Sequence, residues 1–437
     1  MVGSGIARMV CWAGHALILV GLLSSAWAGL FEYVQAPDDT YRWEVRNELE
    51  YQGDRIYELR LYSQTWQGIE WSHILGVYAP AQPRYTDTAL LFIVGGSTNS
   101  RLDAGDLMFA YQLSQATGSV VAILAQVPNQ PLFGGRKEDD LIAHTLERYL
   151  ETKDDTWPLL FPMTKSAVRA MDAVQEFSDQ RLGRRIERFV VSGGSKRGWT
   201  SWLTAAVDPR VAATAPMVID MLNIPVQMAH QLEVWGEYSK QIEDYTKRNI
   251  PQRLNIPEVA EAVRMVDPYT YRERYTMPKL IVIGTNDDYW VLDALNLYWD
   301  DLPEPKHILY VPNSGHGLED RKRATAGLGG YFRFVASRTP LPKLDWRFSE
   351  AEDRITLEVS TTPEPVAARL WVATSEDRDF RDARWEERPM EPSEASFRAV
   401  VPRQEGAYVA AFGELEFAID EMRCPLSTQV HIAPPMR

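Results

Sequence analysis

One short stretch of the chain constrains the fold more than any other, because an apolar strand runs directly into a glycine-flanked serine and then into a helix. It reads Phe189-Val-Val-Ser-Gly-Gly-Ser-Lys-Arg-Gly-Trp199. A strand, a tight turn and a helix in this order expose a serine hydroxyl at the edge of a parallel sheet, and the helix N-terminus favours negative charge that develops beside it. The stretch therefore predicts Ser195 as a nucleophile.

The turn departs from the usual Gly-x-Ser-x-Gly pattern. Gly193 is in place, but Arg197 occupies the second glycine position and the next glycine is Gly198. A glycine-rich turn of this kind also cradles phosphate in other proteins, but neither the spacing nor a final Lys-Ser or Lys-Thr pair fits that use. A purely structural turn remains the alternative for this segment taken alone.

Residues later in the chain support the prediction that Ser195 is a nucleophile. The apolar strand Pro278–Gly284 leads into Thr285-Asn-Asp-Asp288, and the strand His307–Val311 leads into a turn-rich loop that carries His316 between two glycines. Serine, acid and histidine in this order, each beyond a parallel strand, are typical of the α/β-hydrolase fold. Because such loops meet at one crevice of an open sheet, we expect the three side chains to come together.

The acid has three candidates. We favour Asp287, which stands three residues after Gly284, a spacing common in this fold. Asp288 is its neighbour in the same turn, and two adjacent turn side chains point apart, so only one of them reaches the histidine. Asp220 follows the apolar run 213–219 and is the third candidate, because some relatives of this fold take their acid from an earlier strand.

Acyl transfer also needs donors for an oxyanion. In this fold one donor is the backbone N–H after the nucleophile, here that of Lys196, and the other comes from the loop after an earlier strand. The strand Ala89–Val94 leads into such a loop, which makes Gly96 and Ser97 candidates, with an ordinary turn as the alternative. The basic side chains of Lys196 and Arg197 suit an anionic substrate, or else they hold neighbouring acidic residues.

The N-terminus has the pattern of a secretory signal. Arg8 precedes a short apolar run, and Ala26-Trp-Ala28 is a small-x-small cleavage site, so residues 1–28 are predicted to be removed. The remaining 409 residues contain no apolar run long enough to span a bilayer. They contain one cysteine, Cys424, so an intrachain disulfide is excluded. We therefore expect a secreted or periplasmic protein with no integral membrane segment after signal removal.

Charge and motif content narrow the class of partner. The net charge is −14, and loss of Arg8 with the signal makes it −15, which argues against a nucleic-acid partner. Neither a metal-ligand cluster nor a nucleotide fingerprint is visible, so no cofactor and no metal are predicted. The predicted partner is a small-molecule or peptide substrate, and the oligomeric state is left open.

The pattern along the chain predicts two domains. Residues 29–340 read as an α/β-hydrolase-like, mostly parallel sheet with flanking helices, interrupted at 221–277 by a lid-like helical insertion. This insertion contains three aromatic residues, Trp235, Tyr238 and Tyr245. They either line a substrate pocket or pack within their own domain. From 341 to 437, short alternating strands without helices predict a small all-β sandwich.

Several long motifs resemble those of the PhoPQ-activated pathogenicity-related proteins, and the likeness covers nearly all of the mature chain. They lie at residues 134–143, 162–172, 192–200, 284–290 and 313–317. The resemblance implies a secreted or periplasmic hydrolase-fold protein with Ser195 and His316 at the family's catalytic positions. It also implies a link to virulence and to antimicrobial-peptide resistance in bacteria, and to a secreted proliferation repressor among eukaryotic relatives.

Two functional hypotheses follow from the sequence. The first is a serine hydrolase, esterase or peptidase-like, in which Ser195 attacks, His316 carries the proton and Asp287 orients the imidazole. The second is a secreted binding or signalling protein that keeps the hydrolase fold without turnover, which the missing second glycine of the turn makes possible.

Overall fold

The computed structural model of the chain describes residues 25–101, 103–393 and 396–436. The first 24 residues of the predicted signal peptide lie outside the described residues. Helix α1 (Ser25–Gln35) includes the predicted cleavage point after Ala28. Leu30 and Val34 of this helix are buried in the main hydrophobic core, so the chain belongs to the packed fold directly after that point.

Three antiparallel strands form one end of the large sheet. They are β1 (Arg42–Tyr51), β2 (Asp54–Trp66) and β3 (Ile69–Ala79). Two-residue turns at Gln52-Gly53 and Gln67-Gly68 join them, and all four turn residues have positive φ. This is the turn geometry that matches the twist of a tight hairpin.

Six parallel strands form the centre of the sheet in the order β5-β4-β6-β7-β8-β9. They are β4 (Thr88–Ile93), β5 (Val121–Leu124), β6 (Arg188–Gly194), β7 (Val211–Met217), β8 (Lys279–Gly284) and β9 (Lys306–Val311). Nearly every residue of these strands is buried, because helices cover both faces. This explains why the strands read as continuous apolar runs rather than as alternating ones.

The helices cover the two faces of the sheet and build the insertion. Those on one face are α3 (Glu138–Thr152), α4 (Leu160–Phe177) and α5 (Lys196–Val207), and those on the other are α2 (Ala104–Thr117) and α9 (Arg321–Ser337). The insertion between β7 and β8 contains α6 (Ile224–Trp235), α7 (Glu243–Thr246) and α8 (Pro257–Val266). Among the described residues, none of the helices is both long and apolar enough to cross a bilayer.

The region after residue 340 is an antiparallel β structure of two sheets. Its strands are β10 (Lys343–Glu350), β11 (Arg354–Thr362), β12 (Ala367–Ser375), β13 (Glu386–Pro389), β14 (Glu391–Ser393), β15 (Ser396–Pro402), β16 (Tyr408–Ile419), β17 (Met422–Ser427) and β18 (His431–Ala433). One sheet has the order β10-β11-β15-β14. The other continues the large sheet, because β17 pairs with β9 through Ser427 and Ile308.

Candidate active site

Ser195 occupies a strained turn between β6 and α5. Its φ of 56° and ψ of −125° lie in a region that non-glycine residues rarely adopt. The turn is fixed by a hydrogen bond from the Ser195 N–H to the Met217 carbonyl (2.9 Å). It also needs small neighbours, since a Cβ on Gly193 would lie 2.8 Å from the Arg197 Cβ. A Cβ on Gly198 would lie 2.9 Å from the carbonyl oxygens of Gly193 and Met217, so Gly198 provides the close approach expected of the missing second glycine.

The side chain of Arg197 is directed away from the turn and is buried. Its two terminal nitrogens donate to the Glu138 carboxylate at 2.7 Å each, and its Nε donates to the Val127 carbonyl at 2.6 Å. The guanidinium lies against Gly95, where a Cβ would overlap it. Burial of Glu138 acts to raise its pKa, but the hydrogen bonds and charge of Arg197 outweigh it and the pKa is lowered. Glu138 is therefore a carboxylate that holds Arg197 in place.

Lys196 is paired in the same way with the next residue of α3. Its Nζ donates to Asp139 at 2.7 Å, and the other carboxylate oxygen of Asp139 accepts from the Tyr245 hydroxyl at 3.0 Å. Of the two sequence-based interpretations for the basic pair, the structure favours the one in which Lys196 and Arg197 hold acidic neighbours. Their charges are already neutralised at short range.

The structure brings the predicted serine, histidine and acid into one hydrogen-bonded chain. The Ser195 Oγ lies 2.8 Å from the His316 Nε2, and the His316 Nδ1 lies 2.9 and 3.0 Å from the two carboxylate oxygens of Asp287. Asp287 also accepts a hydrogen bond from the Tyr289 N–H at 2.8 Å and is 4% exposed. Burial raises the pKa of Asp287, against the lowering effect of His316. The carboxylate fits a Nδ1–H tautomer, which leaves Nε2 free to accept the serine proton.

The other two candidate acids have different partners. Asp288 is at the surface, where a carboxylate oxygen accepts from the Gln241 amide at 2.5 Å. Asp220 is fully buried and accepts from the Tyr298 hydroxyl at 2.7 Å, and burial raises its pKa to about 8. Among the described residues, neither carboxylate contacts His316. Asp287 is thus the candidate that the fold places beside the imidazole.

Tyr289 was not singled out by the sequence, although it stands two residues after Asp287. Its ring stacks on the His316 imidazole, with centroids 4.0 Å apart and an interplanar angle of 26°. The Lys196 ammonium lies 5.7 Å from the centre of the same ring. The imidazole is therefore held by the carboxylate at one edge and by an aromatic ring on one face.

The candidate oxyanion donors lie where two adjacent strands end. Strands β4 and β6 are parallel neighbours with Ile93 opposite Gly193, so the loop that carries Gly96 and Ser97 leaves the sheet beside the serine turn. Gly96 has a φ of 109°, which only glycine adopts readily. The Lys196 N–H belongs to the first turn of α5, whose N–H groups have no acceptor within the helix. The Gly96–Ser97 loop and the Lys196 N–H therefore lie at the same edge of the sheet as the serine turn.

An apolar cavity of about 70 Å³ opens beside Ser195. The insertion supplies much of its wall, including Tyr245, one of the three aromatic residues considered from the sequence. The other two do not line it: Trp235 lies under the Arg381 guanidinium, and Tyr238 packs on the core. The full lining is Asp139, Leu146, Ser195, Lys196, Trp199, Ile219, Met221, Ile224, Met228, Ile242, Tyr245, Ile250, Pro251, Leu254, Val263, Val266, Tyr289 and Trp290.

Comparison with known proteins places the chain beside a family and several esterases. The sequence model of the family described as PhoPQ-activated pathogenicity-related protein matches residues 30–381. The chain is 36% identical over 390 residues to autocrine proliferation repressor protein A of Dictyostelium discoideum, which covers 84% of this chain and 78% of that protein. It is 27% identical over 154 residues to acetyl esterase Axe7A of Xylanibacter ruminicola, which covers 35% of this chain and 31% of that one.

Solved structures share the fold. Acetyl xylan esterase 1 from Thermoanaerobacterium sp. aligns with a TM-score of 0.50 and 16% identity, covering 72% of this chain and 93% of the esterase. At that identity the likeness concerns the fold alone, and the fold is that of an α/β-hydrolase. Within the part of the chain that the structure describes, no three His, Cys, Asp or Glu side chains gather in a way that would hold a metal ion.

Proposed function

This chain belongs to the PhoPQ-activated pathogenicity-related protein family, and we propose that it is a serine hydrolase that cleaves an ester by acyl transfer. The observation that carries the proposal is the hydrogen-bonded chain from Ser195 through His316 to Asp287, with 2.8 Å between the hydroxyl and the imidazole. The partial similarity to an acetyl esterase favours an ester over an amide as the bond that is cleaved.

Acylation starts when the Ser195 Oγ attacks the ester carbonyl carbon. His316 Nε2 takes the hydroxyl proton, and the carbonyl oxygen becomes an oxyanion that the N–H groups of Lys196 and of the Gly96-Ser97 loop stabilise. The bond from carbon to the alcohol oxygen then breaks, and His316 gives its proton to that oxygen. Asp287 keeps the imidazole in the correct tautomer and stabilises the imidazolium that forms.

Deacylation repeats these steps with water. His316 takes a proton from a water molecule, whose oxygen attacks the acyl carbon, and the bond to Ser195 Oγ breaks as the serine regains its proton. The products are the carboxylic acid and the free enzyme. No oxidant, reductant or metal enters this balance.

The proposal includes export of the chain. Removal of residues 1–28 leaves Gly29 as the N-terminus, within α1. Mass spectrometry of the protein recovered from the periplasm or the medium should give a chain that begins at Gly29. In that compartment a hydrolase would encounter esters that lie outside the cytoplasm, in keeping with the family's link to virulence.

Hydrolysis of p-nitrophenyl acetate and butyrate by the purified mature protein tests the activity. Ser195→Ala and His316→Asn should lower kcat/KM by about 10³-fold or more, because each removes a reacting group. His230→Asn is the matched control, since His230 also pairs with a carboxylate, that of Asp293 at 2.6 Å, but within the described residues it hydrogen-bonds to no serine. Equal turnover by folded Ser195→Ala and wild-type protein would contradict the proposal and favour a binding function.

A further inference from the structure

We infer that the cavity beside Ser195 is an acyl-binding pocket that selects esters of short, uncharged apolar acids. The inference rests on the proposed function and names its substrate class. The inner wall is built of apolar side chains such as Met221, Met228, Leu254 and Val263. Burial of an apolar acyl chain against these side chains increases its binding affinity by about fourfold for each methylene group.

The two charged side chains that line the cavity, Lys196 and Asp139, are paired with each other. Lys196 and Tyr245 both donate to Asp139, at 2.7 and 3.0 Å. An acyl group with its own carboxylate or ammonium would find no unpaired opposite charge in the cavity wall. An unpaired buried charge is strongly unfavourable. The pocket therefore excludes acyl groups that carry a charge.

The position of His316 decides which half of the ester enters the cavity. The imidazole must give a proton to the leaving alcohol oxygen, so the alcohol has to lie on its side of the serine. His316 is not part of the cavity wall, but with Gly194 and Arg321 it lines a wider groove of about 560 Å³. The alcohol thus leaves through the groove, and the acyl chain occupies the cavity.

The size of the cavity limits the length of the acyl chain. A closed apolar cavity of roughly 150 Å³, such as one engineered in a lysozyme, accommodates a benzene molecule. A cavity of about 70 Å³ has about half that room. It therefore accommodates a chain of about three or four carbons in a well-packed apolar site.

A series of p-nitrophenyl esters tests the pocket directly. We expect kcat/KM to rise by roughly 15-fold from acetate to butyrate, which is two methylene groups at about fourfold each. It should then fall by about tenfold or more at octanoate, since chains that do not fit force the wall to move. The monoester of succinic acid, which is butyrate-sized but charged, should be a poor substrate.

Two variants separate the pocket from the rest of the enzyme. Leu254→Ala enlarges the cavity and should move the optimum to hexanoate or longer, whereas Ile224→Trp fills it and should move the optimum to acetate. Leu182→Ala is the control, because Leu182 is a partly buried leucine that lines a different surface near Arg181. It should keep the wild-type profile.

Failure of the pocket and failure of the hydrolase proposal give different results. An enzyme that turns over all esters equally, prefers octanoate, or keeps its profile in Leu254→Ala would overturn the acyl pocket while leaving the hydrolase in place. Absence of turnover of every ester, together with absence of labelling of Ser195 by a fluorophosphonate, would overturn both.

A separate set of contacts points to a function for the C-terminal region. We propose that the loop between β12 and β13, residues 376–385, positions the acid and histidine loops of the active site. Asn286, next to Asp287, donates its amide to the carbonyls of Ala383 (2.7 Å), Arg381 (3.0 Å) and Phe380 (3.3 Å).

The histidine loop is held by the same segment. Asn313 exchanges two hydrogen bonds with the backbone of Trp385, at 2.8 and 3.0 Å. Phe380 and Trp385 are each 2% exposed, so the segment that binds both asparagines is anchored in the core. The two catalytic loops also bond to each other, through the Asn286 N–H and the Ser314 carbonyl at 3.0 Å. Asn286 and Asn313 are thus positioning residues rather than catalytic ones.

Asparagine-to-alanine variants test this positioning. Asn286→Ala and Asn313→Ala should lower kcat by about 10- to 100-fold with KM within about twofold, since a small displacement of a reacting group costs rate rather than binding. The control is Asn296→Ala, because Asn296 also donates to the C-terminal region, to the Val430 carbonyl at 3.0 Å, but away from the catalytic loops. Wild-type kcat in the first two variants, or an equal loss in Asn296→Ala, would overturn the proposal.

Discussion

Replacement of Arg197 by glycine provides a sharp test of the serine turn, because it creates the Gly-x-Ser-x-Gly pattern that the chain lacks. By motif alone, Arg197→Gly should be harmless or beneficial. The structure indicates the opposite, since the side chain makes two hydrogen bonds to Glu138 and one to the Val127 carbonyl. The variant would remove the Arg197 donors from the Glu138 carboxylate, which keeps only the Gln130 amide at 2.6 Å and a longer contact of 3.8 Å with Lys196.

The magnitude follows from burial. Loss of one partner of a fully buried ion pair costs about 3–5 kcal/mol. The Arg197 side chain is 10% exposed but that of Glu138 is 37% exposed and keeps the Gln130 donor, so the figure falls to about 2 kcal/mol. The unpaired Val127 carbonyl adds about 1 kcal/mol. We expect Arg197→Gly to lower the free energy of unfolding by about 3 kcal/mol.

Urea unfolding and ester hydrolysis, measured on the same preparations, check this expectation. Arg248→Gly is the matched control, because Arg248 pairs with Asp140 and Glu147 of the same helix α3 but lies away from the serine turn. Both variants should lose stability, and only Arg197→Gly should also lose turnover at a temperature where both are folded. An Arg197→Gly protein as stable and active as the wild type would refute the reasoning.

Three further predictions concern other groups of the site and core. Asp287→Asn should lower kcat by about 10³- to 10⁴-fold, whereas Asp288→Asn should stay within about twofold, as ester hydrolysis will show. Asp220, with a pKa of about 8, is protonated in the native state at neutral pH but ionised in the unfolded chain. The native state then binds more protons, so stability falls as pH rises from about 4 to about 8, by up to about 1.4 kcal/mol per unit. The free energy of unfolding in urea of Asp220→Asn should therefore increase relative to that of the wild type as the pH rises across that range. A difference between the two proteins that does not change with pH would contradict the prediction. Cys424 is fully buried, and burial raises the pKa of its thiol, so a maleimide should modify it only after unfolding; rapid modification of the native protein would show that this packing is wrong.

The features that were predicted correctly are encoded by residues that lie close together in the sequence. The strand, the small residues and the helix around Ser195 lie within eleven residues, and the two later loops each follow an apolar strand directly. The carboxyl ends of parallel strands converge for general reasons of sheet geometry. The fold and the proximity of Ser195, Asp287 and His316 were therefore predictable without any knowledge of long-range contacts.

The features that sequence did not predict depend on contacts between distant segments. Glu138 is 59 positions from Arg197, and nothing near either residue indicates their pairing. The same holds for Asn313 and Trp385, which are 72 positions apart, and for the single pairing that joins β17 to β9. The stacking of Tyr289 on His316 had a weak signal, an aromatic residue just after the acid, but its direction depends on the fold of the whole loop.

Covalent labelling with a fluorophosphonate tests the central claim most directly, since only a serine activated by its neighbours reacts with it. We expect one label per folded molecule, found by peptide mass spectrometry on the fragment that contains Ser195, and none on folded Ser195→Ala. Label on a different serine, or a folded wild-type protein that remains unlabelled, would contradict the assignment of Ser195 as the nucleophile.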